Sequence, residues 1–371
     1  MKKFFGLIVA LVVMLSGATA FAGEKLIEAS GEYIMDTRLD ETFASATARA
    51  REEAKRAAVE KAGTYIKTYA KTIDFELVED EVEAVAASLL KIQSESSKTE
   101  PAGDNLLKFT VTIKALVNEL SDADLKAFMN DRNALQEAAR QYKDLQKEYA
   151  ALKAQMDELR RNYDKANETQ RADIKKQVAR NSKNFLAVEA TARGNEFYFA
   201  KNYAQALAAY DEAVTLNPNY ADAYNNRGVV KYELGQFAEA ISNYTMAIKL
   251  KPNFVDALNN RGNAYAALGQ FQNAAQDLQA AVKLNDKNAV GHNNLGNVYY
   301  SLRNFDAAIQ EYTRAIQLNP NYAEAYYNRG AVYYGKKNYA AALDDIKMSM
   351  SLNLTDNATQ ELYGKILRAV T

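Results

Sequence analysis

Residues 221–254 read ADAYNNRGVVKYELGQFAEAISNYTMAIKLKPNF, and residues 255–288 read VDALNNRGNAYAALGQFQNAAQDLQAAVKLNDKN. The two stretches carry similar residue types at matching places, and the pattern extends over five segments of 34 residues. Glycine marks the period, at Gly194, Gly228, Gly262, Gly296 and Gly330. A fixed period of this length predicts stacked pairs of helices, which form an extended binding surface instead of a closed reaction pocket.

Other residue types keep the same period. An aromatic residue follows each glycine by nine positions. An alanine follows each glycine by twelve, at Ala206, Ala240, Ala274, Ala308 and Ala342. Pro218, Pro252 and Pro320 close three of the units, where proline stops a helix, while Asp286 and Leu354 take this place in the other two. Each unit is therefore predicted to contain a helix A, a short turn and a helix B.

These small residues, aromatics and prolines resemble the tetratricopeptide repeat (TPR) family. With Pro218 at position 32, the five units are 187–220, 221–254, 255–288, 289–322 and 323–356. The resemblance implies an α-solenoid that binds proteins. Thr191 stands where members of the family that hold a partner's C-terminal carboxylate carry lysine, so that mode of capture is not expected. Leu362, Ile366 and Val370 predict a capping helix within residues 357–371.

The first 22 residues have the features of a secretory signal peptide. Lys2 and Lys3 precede an apolar run over residues 4–15, and small residues end at Ala22. The alternative is an uncleaved membrane anchor. The chain has no cysteine, so neither a lipid anchor nor a disulfide is expected. We therefore expect export to the periplasm and no transmembrane segment in the mature chain.

Residues 23–118 predict a small α+β domain. Strands are expected over residues 26–34 and in an antiparallel hairpin of 90–94 with 107–117, joined by a long loop at Pro101 to Asp104. Helices are expected over residues 41–72 and 79–89, the first with a stripe of alanines that allows it to lie close on a sheet. The stretch from Ala48 to Ala58, followed by Gly63-Thr64-Tyr65-Ile66, resembles the N-terminal domain of flagellar assembly protein T and related envelope lipoproteins. This resemblance implies a role in assembly.

Residues 119–186 predict a long coiled-coil helix and a helix that leads into the first repeat. Apolar residues follow two heptad positions without proline or glycine, which favours self-association. The predicted oligomerisation residues are Leu135, Tyr142, Leu145, Tyr149, Leu152, Met156, Leu159 and Tyr163. The alternative is a single helix that folds onto its own chain.

Composition argues against catalysis and against binding of nucleic acid. The chain has 46 basic and 47 acidic residues, a formal net charge of -1 and a single histidine. This balance provides no long-range field that would attract nucleic acid. His292 occupies a helix-packing position that holds Tyr224 and Tyr326 in sister repeats, so packing is its expected role. No catalytic group, cofactor or metal site is expected.

Asparagines and tyrosines on helix A are the predicted peptide-binding residues. They stand at positions 5, 6, 9 and 12 of the repeat, on the face that lines the groove in the TPR family. The candidates are Asn225, Asn226, Asn259, Asn260, Asn263, Asn293, Asn294, Asn297, Asn328, Tyr232, Tyr300 and Tyr334. An amide both donates and accepts, so it matches a peptide main chain. The alternative is that the position-6 asparagines bond within the stack. Arg227, Arg261 and Arg329 are expected to pair with local carboxylates.

The sequence therefore predicts an exported, non-enzymatic scaffold or adaptor that binds a protein or extended peptide. A rod followed by such repeats also resembles, in architecture, the cell-division coordinators of the periplasm. The alternative function is a structural component of a flagellar or division-associated envelope machine, which docks through the N-terminal domain.

Overall fold

The computed structural model describes residues 25–72, 77–117, 132–352 and 354–370. The expected signal peptide over residues 1–22, and the start of the predicted coiled coil at residues 119–131, lie outside the described residues. The chain divides into two compact units, Met1–Pro218 and Asn219–Thr371. The expected fold class is confirmed, with a solenoid of paired helices and a small N-terminal domain that contains a sheet. None of the helices in the described ranges combines the length and apolar character needed to cross a membrane.

The N-terminal domain of the first unit is a three-stranded antiparallel sheet with two helices. The strands are β1(Lys25–Asp36), β2(Leu90–Gly103) and β3(Leu106–Val117), in the spatial order β1-β3-β2. The helices are α1(Phe43–Thr72) and α2(Glu79–Leu89). The predicted alanine stripe of α1 is fully buried in the core between helix and sheet, at Ala46, Ala50, Ala54, Ala58 and Ala62.

Gly31 of β1 explains how closely α1 approaches the sheet. A Cβ atom at this glycine would lie 2.2 Å from both the carbonyl oxygen of Ala50 and the backbone nitrogen of Ala54. The backbones of strand and helix are therefore nearly in contact at this point. Such an approach is possible only because the strand has glycine here and the facing helix has alanine.

The long loop expected at Pro101 to Asp104 is wrong. Strand β2 continues through Pro101 to Gly103, and the hairpin turns at Asp104 and Asn105. The pairing with β3 is irregular between Pro101 and Gly103, and an irregularity of this kind admits a proline into an edge strand. The φ angle of Asn105 is 60°, a left-handed conformation that asparagine tolerates in tight turns.

Three helices complete the first unit: α3(Arg132–Tyr163), α4(Glu168–Phe199) and α5(Tyr203–Leu216). Helix α3 ends at Tyr163, and the chain folds back so that α4 packs along it. Asn167 caps α4, because its side chain accepts from the backbone nitrogen of Gln170 while the Gln170 side chain accepts from the backbone nitrogen of Asn167. The C-terminal half of α4 is helix A of the first repeat, and α5 is its helix B.

A buried polar network lies where β1, α1, α3 and α4 meet. The Glu41 carboxylate, whose side chain has no exposed surface, accepts from the Tyr33 hydroxyl at 2.9 Å and from Nη2 of Arg160 at 3.1 Å. Nη2 of Arg49 donates to Oδ1 of Asn181 at 2.5 Å. Burial raises the pKa of the Glu41 carboxyl against the opposing effect of Arg49 and Arg160. The network ties α3 and α4 to the N-terminal domain.

The second unit contains four repeats and a final helix. Its A helices are α6(Ala221–Glu233), α8(Val255–Ala267), α10(Ala289–Ser301) and α12(Ala323–Gly335). Its B helices are α7(Phe237–Leu250), α9(Phe271–Leu284), α11(Phe305–Leu318) and α13(Tyr339–Ser351), and α14(Asn357–Val370) follows. Successive A helices make closer contact with one another than successive B helices do. The A helices therefore line the inner surface of this unit.

The periodic glycines make room for a large side chain of helix B, which is a tyrosine ring in three of the five repeats. A Cβ atom at Gly228 would lie 2.6 Å from Cε1 of Tyr244, and one at Gly296 would lie 2.6 Å from Cε1 of Tyr312. Both rings are almost fully buried. The alanines that follow each glycine by twelve residues are also completely buried, so the period in the sequence reflects close packing of helix A on helix B.

Helix α14 caps the last repeat through part of the predicted stripe. Ile366 is fully buried against Ala342 and Ile346, and Leu362 is partly buried beside them. Val370 is 55% exposed, so the expectation that it packs on the stack is wrong. It is the last described residue of α14, beyond the reach of the contacts around Ile366.

Candidate functional site

Asparagine side chains bridge successive A helices at two of the repeat junctions. Nδ2 of Asn260 donates to Oδ1 of Asn225 at 3.1 Å, and Nδ2 of Asn328 donates to Oδ1 of Asn293 at 3.0 Å. Each bond joins position 6 of one repeat to position 5 of the preceding repeat, and we call such a pair a rung. The position-5 asparagines are buried, whereas those at position 6 are half-buried. At these rungs the amides bond within the stack, as the alternative interpretation of the sequence expected.

Both closed rungs have further partners. Asn225 also donates to Oδ1 of Asn226 at 3.1 Å. Burial raises the pKa of the Tyr322 hydroxyl, and a hydrogen bond from Asn293 partly offsets that effect. The hydrogen-bonding capacity of Asn225 and Asn293 is therefore largely used inside the protein.

The rung between the third and fourth repeats is open. Asn259 is 2% exposed, and its Oδ1 atom is buried without a hydrogen-bond partner in the part of the chain that the structure describes. The side chain of Asn294, which occupies the position of the donors Asn260 and Asn328, makes no hydrogen bond to any described residue. A buried acceptor without a donor is rare in folded proteins. This junction therefore differs in kind from its neighbours.

The asparagines at position 9 also differ between the third and fourth repeats. In the fourth repeat the Tyr312 hydroxyl donates to Oδ1 of Asn297 at 2.8 Å. Burial raises the pKa of Tyr312, so this hydroxyl remains a donor at neutral pH. The third repeat has Leu278 in place of the tyrosine, and the half-buried side chain of Asn263 accordingly has no hydrogen bond within the described ranges. The change to Leu278 can be read from the sequence. Its effect on Asn263 follows only from the structure, which places position 24 of helix B beside position 9 of helix A.

The candidate tyrosines at position 12 form ring contacts with the first residue of helix B. Ring centroids are 5.1 Å apart for Tyr232 and Phe237 and 5.7 Å apart for Tyr300 and Phe305. Tyr334 and Tyr339 make the same contact, also at 5.7 Å. Tyr300 is 48% exposed and offers the largest aromatic surface of the three tyrosines. The third repeat again departs from the pattern, because Ala266 occupies position 12.

The arginines at position 7 pair within their own repeats. Arg261 donates from Nε and Nη2 to the two carboxylate oxygens of Asp277, at 2.7 and 2.8 Å. Arg329 makes the same two bonds to Asp345, both at 2.8 Å. Arg227 donates from Nε to Oδ1 of Asn243 at 2.7 Å, and Asn243 occupies the position that Asp277 and Asp345 hold in the other two repeats. The partners at position 23 were not among the residues predicted from the sequence, although each lies 16 residues after its arginine.

His292 is buried and hydrogen-bonded, in keeping with a packing role. Its Nδ1 atom lies 2.6 Å from Oε2 of Glu311, and its Nε2 atom lies 3.2 Å from the carbonyl oxygen of Asp286. Asp286 stands where other repeats have a closing proline. The His292 ring therefore links α10 to the connection that precedes it through the carbonyl oxygen of this residue. In the described ranges, no group of three or more histidine, cysteine or acidic side chains is arranged to hold a metal ion.

The structure places the described heptad residues of α3 against their own chain. Met156, Leu159 and Tyr163 are buried in a cluster that includes Ile174 and Val178 of α4. The ring of Tyr149 contacts that of Phe185 with centroids 5.0 Å apart, and Tyr142 packs against the core of the N-terminal domain. Leu145 and Leu152 are half-buried. The side chain of Leu135 lies outside the described part of the structure.

Comparison with known families and structures identifies the repeats. The TPR repeat family matches residues 194–235, 230–269, 262–302 and 296–337. These residues are therefore TPR repeats, as the sequence pattern predicts. The comparison with curated proteins finds no significant match.

Several solved structures are similar to part of the chain. A crystal structure of MamA is 26% identical, with a TM-score of 0.41, over 43% of this chain and 94% of that one. The structure of YrrB, a TPR protein with an unusual peptide-binding site, is 24% identical, with a TM-score of 0.43, over 48% and 92%. The structure of PilF from Pseudomonas aeruginosa is 18% identical, with a TM-score of 0.48, over 51% and 86%.

Proposed function

Taking residues 194–337 as TPR repeats, we propose that the chain is a non-enzymatic scaffold that binds an extended segment of a protein partner. The binding surface is the inner face of residues 219–371, which the A helices line. The observation that carries the proposal is the row of asparagine side chains along the A helices of this face, of which those at positions 6 and 9 are half-buried or exposed.

The chemistry of the face fits a main chain more than a particular side chain. Amides offer a donor and an acceptor at each rung, and a peptide bond offers the complementary pair. Each net hydrogen bond contributes about 0.5–1.5 kcal/mol, and ordering of the bound segment offsets part of that gain. A few such bonds therefore contribute only a few kcal/mol, and about 4 kcal/mol corresponds to millimolar affinity, so the amides alone support weak binding. The exposed ring of Tyr300 adds apolar contact area beside the amides.

Export is part of the proposal and depends on the sequence of residues 1–22 alone. A periplasmic location places the repeats where they can hold a segment of another envelope protein. Self-association through the heptad stays a prediction. Because Met156 and Leu159 are buried against α4, a dimer through these side chains requires α3 to separate from α4. Sedimentation velocity of the chain at tens of micromolar tests this prediction, and a monomer would contradict it.

The experiment that tests the proposed function is selection of a phage-displayed library of random dodecapeptides on the whole chain. Selected peptides, labelled with fluorescein, are titrated by fluorescence anisotropy. Asn294→Asp and Gln276→Glu both replace an amide with a carboxylate, the first on an inner A helix and the second at an exposed position of α9. The inner change is expected to weaken binding and the outer change to have no effect. Equal effects, or the absence of any retained peptide, would contradict the proposal.

A further inference from the structure

A polar cavity lies between α3 and the part of α4 that precedes the first repeat. Its volume is about 380 Å³, and small-molecule sites usually have volumes of about 300–1,000 Å³. The described residues that line it are Gln155 of α3 and Gln177, Arg180, Asn181 and Asn184 of α4. The four from α4 are spaced by three and four positions, so they share one face of that helix. We call this space the α3–α4 cavity, and it has room for a small ligand.

Asn181 fixes the shape of the α3–α4 cavity. It is 1% exposed, and its Nδ2 atom donates to the carbonyl oxygen of Leu152 at 3.1 Å and to Oε1 of Gln155 at 2.8 Å. Its Oδ1 atom accepts from Nη2 of Arg49 at 2.5 Å. Both N–H groups and the oxygen of Asn181 are therefore engaged inside the protein. Because the oxygen of Gln155 is held by Asn181, the amide nitrogen of Gln155 is left to donate to a ligand.

The other lining side chains can be reached from solvent. Gln155, Gln177 and Arg180 are exposed, and Asn184 is half-buried. Arg180 makes no ion pair with any described residue. A guanidinium only donates, whereas the amides of Gln177 and Asn184 both donate and accept. The lining thus offers more donors than acceptors, one positive charge and no carboxylate, so it favours a ligand with one negative charge and several oxygen acceptors.

We infer that the α3–α4 cavity binds a small hydroxy acid, a molecule with one carboxylate and neighbouring hydroxyl groups. The carboxylate accepts from the planar guanidinium of Arg180 and from the amide nitrogen of Gln155. The hydroxyls, which donate and accept, pair with the amides of Gln177 and Asn184. A phosphate group carries a charge of about -1.5 to -2 at neutral pH, which the single arginine does not balance. This site belongs to the first unit and takes no part in the proposed peptide binding.

Isothermal titration calorimetry of the whole chain with D-glucuronate tests the inference. Acetate supplies the carboxylate alone, and glucose supplies the hydroxyls alone. Glucuronate is expected to bind at least about 10-fold more tightly than either, because it engages both halves of the lining. Inorganic phosphate is expected to bind more weakly than glucuronate. Saturating glucuronate is also expected to raise the melting temperature, because it binds only the folded chain.

Two pairs of variants assign the binding to the cavity. Arg180→Gln removes the charge of the lining, and Arg161→Gln makes the same change at an exposed arginine of α3 that does not line the cavity. The first is expected to weaken glucuronate binding by about 10-fold or more, and the second to leave it unchanged. Gln155→Glu keeps an oxygen for Asn181 but replaces the donor with a carboxylate, so it is expected to abolish binding. Gln276→Glu, at an exposed position of α9, is its control.

Three results would each overturn the inference. The first is that glucuronate binds no more tightly than glucose. The second is that acetate or phosphate binds as tightly as glucuronate, because the hydroxyls or the single charge would then not matter. The third is that Arg180→Gln and Arg161→Gln weaken binding equally, which would indicate attraction to the general charge of the surface. None of these results bears on the proposed function, which is tested by peptide selection.

Discussion

Replacing Gly296 with alanine is expected to destabilise the second unit. The new Cβ atom would lie 2.6 Å from Cε1 and 2.7 Å from Cδ1 of Tyr312. That ring is 2% exposed, and its hydroxyl is bonded to Asn297, so it cannot turn aside without losing the bond. Overpacking of this kind costs about 1–3 kcal/mol, and the better helix propensity of alanine returns about 0.5–1 kcal/mol. The net loss in the free energy of unfolding is therefore about 1–2 kcal/mol.

Two other glycines receive the same substitution in different surroundings. At Gly330 the nearest atom to a new Cβ is Cδ1 of Ile346 at 3.1 Å, the end of a flexible side chain, so Gly330→Ala is expected to be nearly neutral. At Gly364 of α14 nothing lies within 4 Å of the added atom. Gly364→Ala is expected to raise the free energy of unfolding by about 0.5–1 kcal/mol, because only helix propensity changes.

Thermal and urea melts followed by far-ultraviolet circular dichroism measure the three variants against the wild-type chain. Gly296→Ala is expected to melt about 2–8 °C lower, since each kcal/mol corresponds to about 2–4 °C in a unit of this size. In a Tyr312→Ile background, which imitates the pair of Gly330 and Ile346, the same change should cost much less. The reasoning is refuted if Gly296→Ala is as stable as Gly330→Ala.

The remaining predictions concern other contacts and use the same melts. Asp345→Ala leaves the Arg329 guanidinium without its carboxylate and is expected to cost about 1.5–3 kcal/mol; an unchanged melt would show that the pair contributes nothing. Gly235→Ala forces alanine to a φ of 74° and is expected to cost about 1–2 kcal/mol in the free energy of unfolding; unchanged stability would show that the turn adopts another conformation. Gly31→Ala pushes on the backbone of Ala50, which lies 2.2 Å away, and is expected to cost about 3 kcal/mol or more. A Gly31→Ala chain with wild-type stability would mean that α1 can lift from the sheet freely.

The repeat array could be read from the sequence because its signals are local. Glycine at position 8 of helix A faces the residue at position 24 of helix B, as Gly296 faces Tyr312, so a constant spacing reports a constant contact. The A helices of the second unit accordingly begin at Ala221, Val255, Ala289 and Ala323, the first residues of the expected segments.

The course of α3 could not be read in the same way. A heptad pattern states that one face of a helix is buried, but it does not state whether the partner is a second chain or the next helix of the same chain. A local signal for the turn was nevertheless present, since Asn167 and Gln170 have the spacing of a capping box. Their spacing indicates that a new helix begins after Asn167. A chain that turns at this point can fold α4 back along α3, which brings the apolar residues of the two helices into contact.

The candidate site was predictable as a set of positions, but not as a set of bonds. A rung joins residues 35 positions apart, as in Asn260 and Asn225, and its geometry depends on how one repeat stacks on the next. Sequence alone gives Asn259 and Asn225 the same place in the pattern. Only the structure shows that one acceptor has a donor and the other does not.

The repeats of this chain serve as controls for one another. Where the repeats keep the shared residues, the position-5 and position-6 asparagines of successive A helices bond to each other within the stack. Where the third and fourth repeats depart from them, at Leu278, Gly291 and Asp286, hydrogen-bonding groups are left without partners. Local departures from an otherwise consistent pattern are the places where a protein gives up stability for function. The period of 34 residues thus identifies the fold by its regularity, and its exceptions leave Asn259 with a buried oxygen that no described residue satisfies.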